Sequence, residues 1–165
     1  MKIIGDKLGS FAINCIKPNE STPNGRKLVN EKTFEGVWKI FIFYPNDFSY
    51  VFPEELVGFN KIAEQLAKNG VMLFVGSTEL QFSNMAWSII SKVETPTIHL
   101  FTDNSQEQYS LAHKLEANVD KERVIRTFCI VDENDVIQYI KEDDLDTVSS
   151  VTSILSTLKQ MSGQI

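Results

Sequence analysis

Residues 37–44 read VWKIFIFY, a run aromatic and β-branched enough to form a buried strand inside a sheet. Working downstream, Leu56, Phe59, Ile62, Ala63, Leu66 and Ala67 recur at three- and four-residue steps. That spacing predicts an amphipathic helix beginning at Pro53, with Gly70 as its stop. The apolar run 71–76 predicts the next strand. Ser83 is positioned to cap a second helix reaching about residue 93, residues 97–101 read as a strand, and residues 105–115 as a third helix. Upstream, residues 11–16 read as a short strand, followed by KPNESTPNG at 17–25, a loop inside one domain. Toward the end, apolar runs at 124–131 and 136–140 flank residues 132–135, a four-residue turn of the length that joins antiparallel strands. A closing helix places Val148, Val151, Ile154, Leu155, Leu158 and Met161 on one face. A βαβ half followed by a hairpin and a closing helix predicts an α/β chain with a mixed central sheet and helices on both sides.

Composition excludes several classes of function. The 165 residues carry 16 Lys+Arg against 22 Asp+Glu, a net charge of −6, with no basic cluster to neutralise phosphates. Nucleic acid and anionic membrane surfaces are therefore not expected partners. The longest apolar runs, 40–44 and 71–75, fall far short of a membrane span, and residues 1–6 lack the apolar stretch of a secretory signal. A cytoplasmic compartment is expected, in keeping with two cysteines, Cys15 and Cys129, that form neither a CxxC motif nor a disulfide framework. His99 lies in TIHLF and His113 in YSLAHKL with no third ligand at metal spacing, and KEDDLD at 141–146 lacks the alternating oxygens and glycine of a calcium loop. With no phosphate loop, GxGxxG or GxSxG motif either, no metal or cofactor is expected. Trp38 and Trp87 read as aromatic anchors of a core or an interface.

The segment most informative about chemistry is FYPNDFSYVFPEE, residues 43–55, which runs from the buried strand into the first turn of the first helix. Such strand-to-helix turns are where ligands and nucleophiles gather in open α/β sheets. The segment resembles the active-site signature of peroxiredoxins, above all the alkyl hydroperoxide reductase C and thiol-specific antioxidant branch, in which Pro-x-x-x-Thr/Ser-x-x-Cys is followed by Pro and Glu. The resemblance continues through Gly58 and Phe59, STELQFSNMAW at 77–87 and RTFCIVD at 126–132. It implies a single thioredoxin-like domain over residues 1–165.

Carried over position by position, Pro45 matches the proline that shields the site and Ser49 the hydroxyl that contacts thiolate and peroxide. Glu55 matches the glutamate just beyond, and Arg126 the guanidinium. Position 52 departs: the family has its peroxidatic cysteine there, and this chain has Phe52. Phenylalanine has no lone pair to attack a peroxide oxygen and nothing that could become a sulfenic acid. Engineered removal of a cysteine usually installs Ser or Ala, whereas Phe adds bulk. Glu54 also replaces the family's common Thr, so the sequence reads as a natural loss. The resolving cysteine that the two-cysteine class carries in a Val-Cys-Pro tail is expected to be missing too, since the 165 residues contain no such tripeptide.

The leading expectation is thus a family member without thiol peroxidase activity that keeps a scaffold, binding or regulatory role. The rival is an active antioxidant enzyme that reduces hydroperoxides through Cys15 or Cys129, although both sit in apolar strands and read as packing residues. A third reading is a redox-neutral binder of anions at Ser49 and Arg126. The resemblance also implies a homodimer formed by edge-strand pairing, with 136–140 as the edge, and beyond it a ring of dimers. A thiol-redox or regulatory protein is a further partner to expect.

Overall fold

The computed structural model describes residues 4–16, 26–44, 53–103, 110–114, 119–120, 123–124, 127–142, 156–157 and 160. In chain order, β1 spans Ala12–Ile16, β2 Arg26–Asn30 and β3 Trp38–Phe43. They are followed by α1 over Pro53–Lys68, β4 over Val71–Ser77, α2 over Leu80–Ile90 and β5 over His99–Thr102. The chain continues with α3 at Leu111–Lys114, β6 at Val119–Asp120, β7 at Arg123–Val124, β8 at Thr127–Val131 and β9 at Ile137–Glu142. Among the described residues seven strands form one sheet in the order β2-β1-β5-β4-β3-β8-β9, and β6 pairs with β7 in a second, two-stranded one.

The expected mixed α/β arrangement is present. β3 runs parallel to β4 and β4 to β5, as the intervening helices require, while β1, β2, β8 and β9 pair antiparallel. The pleat sends alternate β3 residues to opposite faces. Ile40, Ile42 and Tyr44 meet Leu56, Phe59, Ile62, Ala63 and Leu66 of α1 and Ala86 and Ile90 of α2. Phe41 and Phe43 join a second cluster on the other face, with Phe11, Phe74, Phe101, both cysteines and Leu111 and Ala112 of α3. Trp38 and Trp87 pack half-buried against the first cluster, in line with their reading as anchors.

Helix α1 has the predicted start and stop: it begins at Pro53 and ends before Gly70, whose φ of 76° is the left-handed conformation that terminates helices. The predicted turn at 132–135 joins β8 to β9. Asp132 organises it by accepting from the Asn134 and Val136 N–H groups at 2.8 and 3.0 Å and from Gln138 Nε2 at 2.7 Å.

Several expectations need correction. Ser83 is no cap: α2 starts three residues earlier, after Glu79, and Ser83 is fully buried inside it. Its hydroxyl donates to the Phe101 carbonyl at 2.6 Å, so it belongs to the helix-to-sheet contact. Helix α2 ends at Ile90 rather than near 93, and β5 begins at His99 rather than 97, because Asn60 claims the Thr97 and Ile98 N–H groups. Val124 belongs to β7, separate from β8. Ser110 is not helical, and α3 is described only over Leu111–Lys114. The predicted loop 17–25 lies outside the described residues, as does the named face of the closing helix, of which Ser156, Thr157 and Gln160 are helical.

Candidate active site

In sequence, the predicted site residues adjoin the C-terminal end of β3, the start of α1 and the start of β8. Phe43, the last residue of β3, is the register partner of Thr127 on β8 and of Gly76 on β4. The Tyr44 N–H then donates to the Gly76 carbonyl at 2.8 Å, and Tyr44 is fully buried. Helix α1 opens at Pro53, so position 52 immediately precedes a 16-residue helix, and Arg126 immediately precedes Thr127 in the chain. Pro45, Ser49, Phe52 and Arg126 themselves lie outside the described residues. Glu55 stands in the first turn of α1, where a negative charge suits the helix dipole.

The elements that carry this end are held by buried polar groups that periodicity could not reveal. Asn60, in the middle of α1 and 1% exposed, accepts from Thr97 N–H at 2.6 Å and Ile98 N–H at 3.0 Å, tying the helix to the entry of β5. Ser77 accepts the Glu79 N–H at 2.9 Å, and the Ser83 and Thr102 hydroxyls share a 2.8 Å hydrogen bond, fixing α2 over the ends of β4 and β5. Asp103, immediately after β5, takes the Leu111 and Ala112 N–H groups at 2.9 and 2.7 Å and the Ser110 hydroxyl at 2.9 Å, capping α3 from eight residues away. Burial holds its carboxyl above the usual carboxylate range, and those donors offset only part of that effect. The cap is invisible in sequence because Asp103 is too far from α3 to fit a capping pattern.

Both cysteines are buried thiols outside any disulfide, Cys15 on β1 opposite Phe101 and Cys129 on β8 opposite Phe41 and Ile140. Burial alone pushes the Cys129 thiol far above its ordinary pKa, so it stays protonated. His99 is buried and stacks on Phe74 with ring centroids 4.9 Å apart, so it serves the packing of the sheet. His113 lies in α3, and its side chain is outside the described set. Among the described residues no group of His, Cys, Asp or Glu is placed to hold a metal, and no helix is long and apolar enough to cross a membrane.

With this geometry in view, residues 4–140 match the model of the AhpC/TSA family. Alkyl hydroperoxide reductase C of Escherichia coli (strain K12) is 32% identical over 159 residues, covering 86% of this chain and 82% of that protein. Thioredoxin peroxidase of Echinococcus granulosus is 26% identical over 165 residues, covering 94% and 79%. Among solved structures, Mycobacterium tuberculosis AhpC superposes with a TM-score of 0.82 at 18% identity, over 98% of this chain and 94% of that one. The mitochondrial 2-Cys peroxiredoxin of Plasmodium falciparum does so with 0.77 at 22%, over 99% of both. At these identities the structural likeness speaks for the thioredoxin-like peroxiredoxin fold.

Proposed function

The chain belongs to the AhpC/TSA family, and on that premise we propose that it is a member without thiol peroxidase activity, serving as a binding or regulatory scaffold. The observation that carries this reading is the placement of its sulfur. The motif position for the nucleophile holds Phe52, directly before α1, while the chain's two cysteines, 1% and 0% exposed, are packed among phenylalanines. A peroxide reduction needs a thiolate that can reach the O–O bond, bond one oxygen to become a sulfenic acid and release the other as hydroxide or alkoxide when the O–O bond breaks. A thiol buried in an apolar cluster offers a peroxide no approach, and burial keeps the Cys129 thiol protonated as well.

On this reading Pro45, Ser49, Glu55 and Arg126 are the remnant of the family pocket, and residues 1–165 form one domain. The purified protein should consume hydrogen peroxide or an alkyl hydroperoxide, with a dithiol reductant, no faster than its Cys15→Ala/Cys129→Ala variant. A family-like rate that the double variant loses, with dimedone trapped on Cys15 or Cys129, would instead establish the active hydroperoxide reductase.

A homodimer through β9 belongs to the same proposal. β9 is an edge of the sheet, and among the described residues the N-terminal segment pairs with its beginning, through Gly5 N–H to Ile137 O at 2.8 Å and Ile137 N–H to Asp6 O at 2.9 Å. Backbone groups beyond that point can be satisfied by a second copy. Light scattering at micromolar concentration should report at least a dimer.

A further inference from the structure

At the N-terminal end of β3, away from the predicted site, the chain encloses a cleft of about 360 Å³ between the turn preceding β3 and the turn joining β8 to β9. That volume lies in the range of small-molecule sites. Its inner wall carries Lys39 of β3, Asp135 and Glu31, while Lys7, Lys32, Glu35 and Glu133 are exposed around the mouth.

Lys39 is the unusual member. It is 3% exposed, in a strand otherwise given to the core. The Nζ donates to the Val37 carbonyl at 3.1 Å, the ammonium's one hydrogen bond among the described residues. A lysine ammonium has three donors, and leaving buried donors unmet is costly. Burial drives its pKa below the ordinary value in spite of the attraction of Asp135 and Glu35. Asp135 shows the mirror image: burial, helped by Glu31, holds its carboxyl above the ordinary value in spite of Lys39, the Gly9 N–H and Lys7. Each charge therefore remains under-compensated with the other beside it.

The charges around the cleft decide what could complete it. At the mouth two lysines and two glutamates cancel, and the inner wall sets one ammonium against two carboxylates. A simple anion reaching Lys39 would meet Asp135 and Glu31, and a simple cation would leave Lys39 unanswered. Asp135 is fixed in place, since its N–H donates to Asp132 O at 3.1 Å and its carbonyl accepts from Leu8 N–H at 3.0 Å. Its φ of 68° is a left-handed conformation that Asp and Asn tolerate. Glu31 has one carboxylate oxygen tied to the Phe11 N–H at 3.2 Å, which anchors it as well.

We infer that this cleft binds a small zwitterion of the amino-acid class, its carboxylate on Lys39 Nζ and its ammonium between Asp135 and Glu31.

The test is a titration of the ¹⁵N-labelled protein with glycine, with acetate and methylammonium as separate arms. Glycine should give saturable amide shifts grouped at Gly36, Lys39 and Asn134, and neither single-charge probe should saturate over the same range. Lys39→Met and Asp135→Asn should each weaken glycine binding at least about tenfold. Asp135→Asn keeps both the side-chain shape and the tolerance of a positive φ, so it reports even if Lys39→Met does not fold. An absence of saturable shifts with glycine, shifts that survive in Asp135→Asn, or an acetate response equal to that of glycine would each overturn the assignment.

Discussion

The two ends of β3 bury their side chains for different purposes. At the C-terminal end, Phe43 and Tyr44 are fully buried, and the sequence between them and α1 carries the stretch that resembles the family's active-site signature. At the N-terminal end, Lys39 is almost as deeply buried, yet it brings an ammonium into contact with a charged cleft. On the proposed reading, the end whose sequence announces chemistry has a hydrocarbon ring, that of Phe52, at the decisive position. The end that announces none holds a pair of ionisable groups that burial has driven off their ordinary values. A family motif thus locates where chemistry belongs in the fold, while desolvated charge locates where a binding site can be built.

The largest expected effect comes from restoring the thiol. On the proposed register, Phe52→Cys places sulfur directly before α1, where the helix dipole favours a thiolate, and in line with Ser49 and Arg126. Under mild peroxide the dimedone adduct, read by mass spectrometry, should rise from none at position 52 to about one per chain. Turnover with dithiol reductants should stay slow, because the sulfenate must wait for an external thiol. A folded Phe52→Cys protein that traps no dimedone would mean that the remnant pocket no longer activates sulfur, and the contrast between the two ends would lose its catalytic side.

Next in size is the middle of the strand, which both ends depend on. Phe41 is fully buried, stacked on Phe74 with centroids 5.0 Å apart and edge-on to Phe11 at 5.7 Å. Phe41→Ala should cost about 3 to 5 kcal/mol in urea unfolding, as large-to-small changes in tight cores do. Asn60→Ala, which leaves the Thr97 and Ile98 N–H groups without their acceptor, should cost about 2 to 3 kcal/mol. A loss under about 1 kcal/mol for Asn60→Ala would show that α1 is held by its apolar face alone.

What was legible in the sequence follows the same division. Strand β3 and helix α1 can be read because their signals are local: an aromatic and β-branched run interrupted only by Lys39 in one, apolar residues at helical spacing with a glycine stop in the other. The family motif is also local, and it marked the end of β3 as the place to look. Strand β2 was missed because RKLVN buries only one face and lies on the sheet edge, leaving Leu28 59% exposed and the pattern too polar to stand out. Ser83 was misread because a serine ahead of an apolar run looks like a cap, and only the sheet beneath reveals its partner as the Phe101 carbonyl. Asn60, Asp103 and the pair of Lys39 with Asp135 act through partners seven to nearly a hundred positions away, a separation that no local pattern encodes. The one trace of the last pair in the sequence is a lysine inside an otherwise apolar strand.

The smallest effect separates the two ends most finely. Lys39→Met keeps the length of the side chain and removes a buried charge. Because burial lowers the folded-state pKa of Lys39 below 10.5, the unfolded chain binds the proton more tightly than the native one in the window between those two values. Native stability should therefore rise with pH across that window, and Lys39→Met should abolish this contribution to the rise. Below the window Lys39 is charged in both states, so the wild-type protein carries the full cost of its desolvation and the variant does not. Against that gain, the variant leaves Asp135 without the ammonium that lowers its pKa, so the carboxyl moves further upward. Asp135 is half-buried and solvent can reach it, so the two changes should nearly cancel, and unfolding at pH 7 should differ by less than about 1 kcal/mol. Denaturant unfolding at neutral and alkaline pH reads both quantities. A loss of several kcal/mol at pH 7 would make Lys39 the keystone of its turn rather than a charge held at the floor of a cleft, and the two ends of β3 would then differ only in polarity.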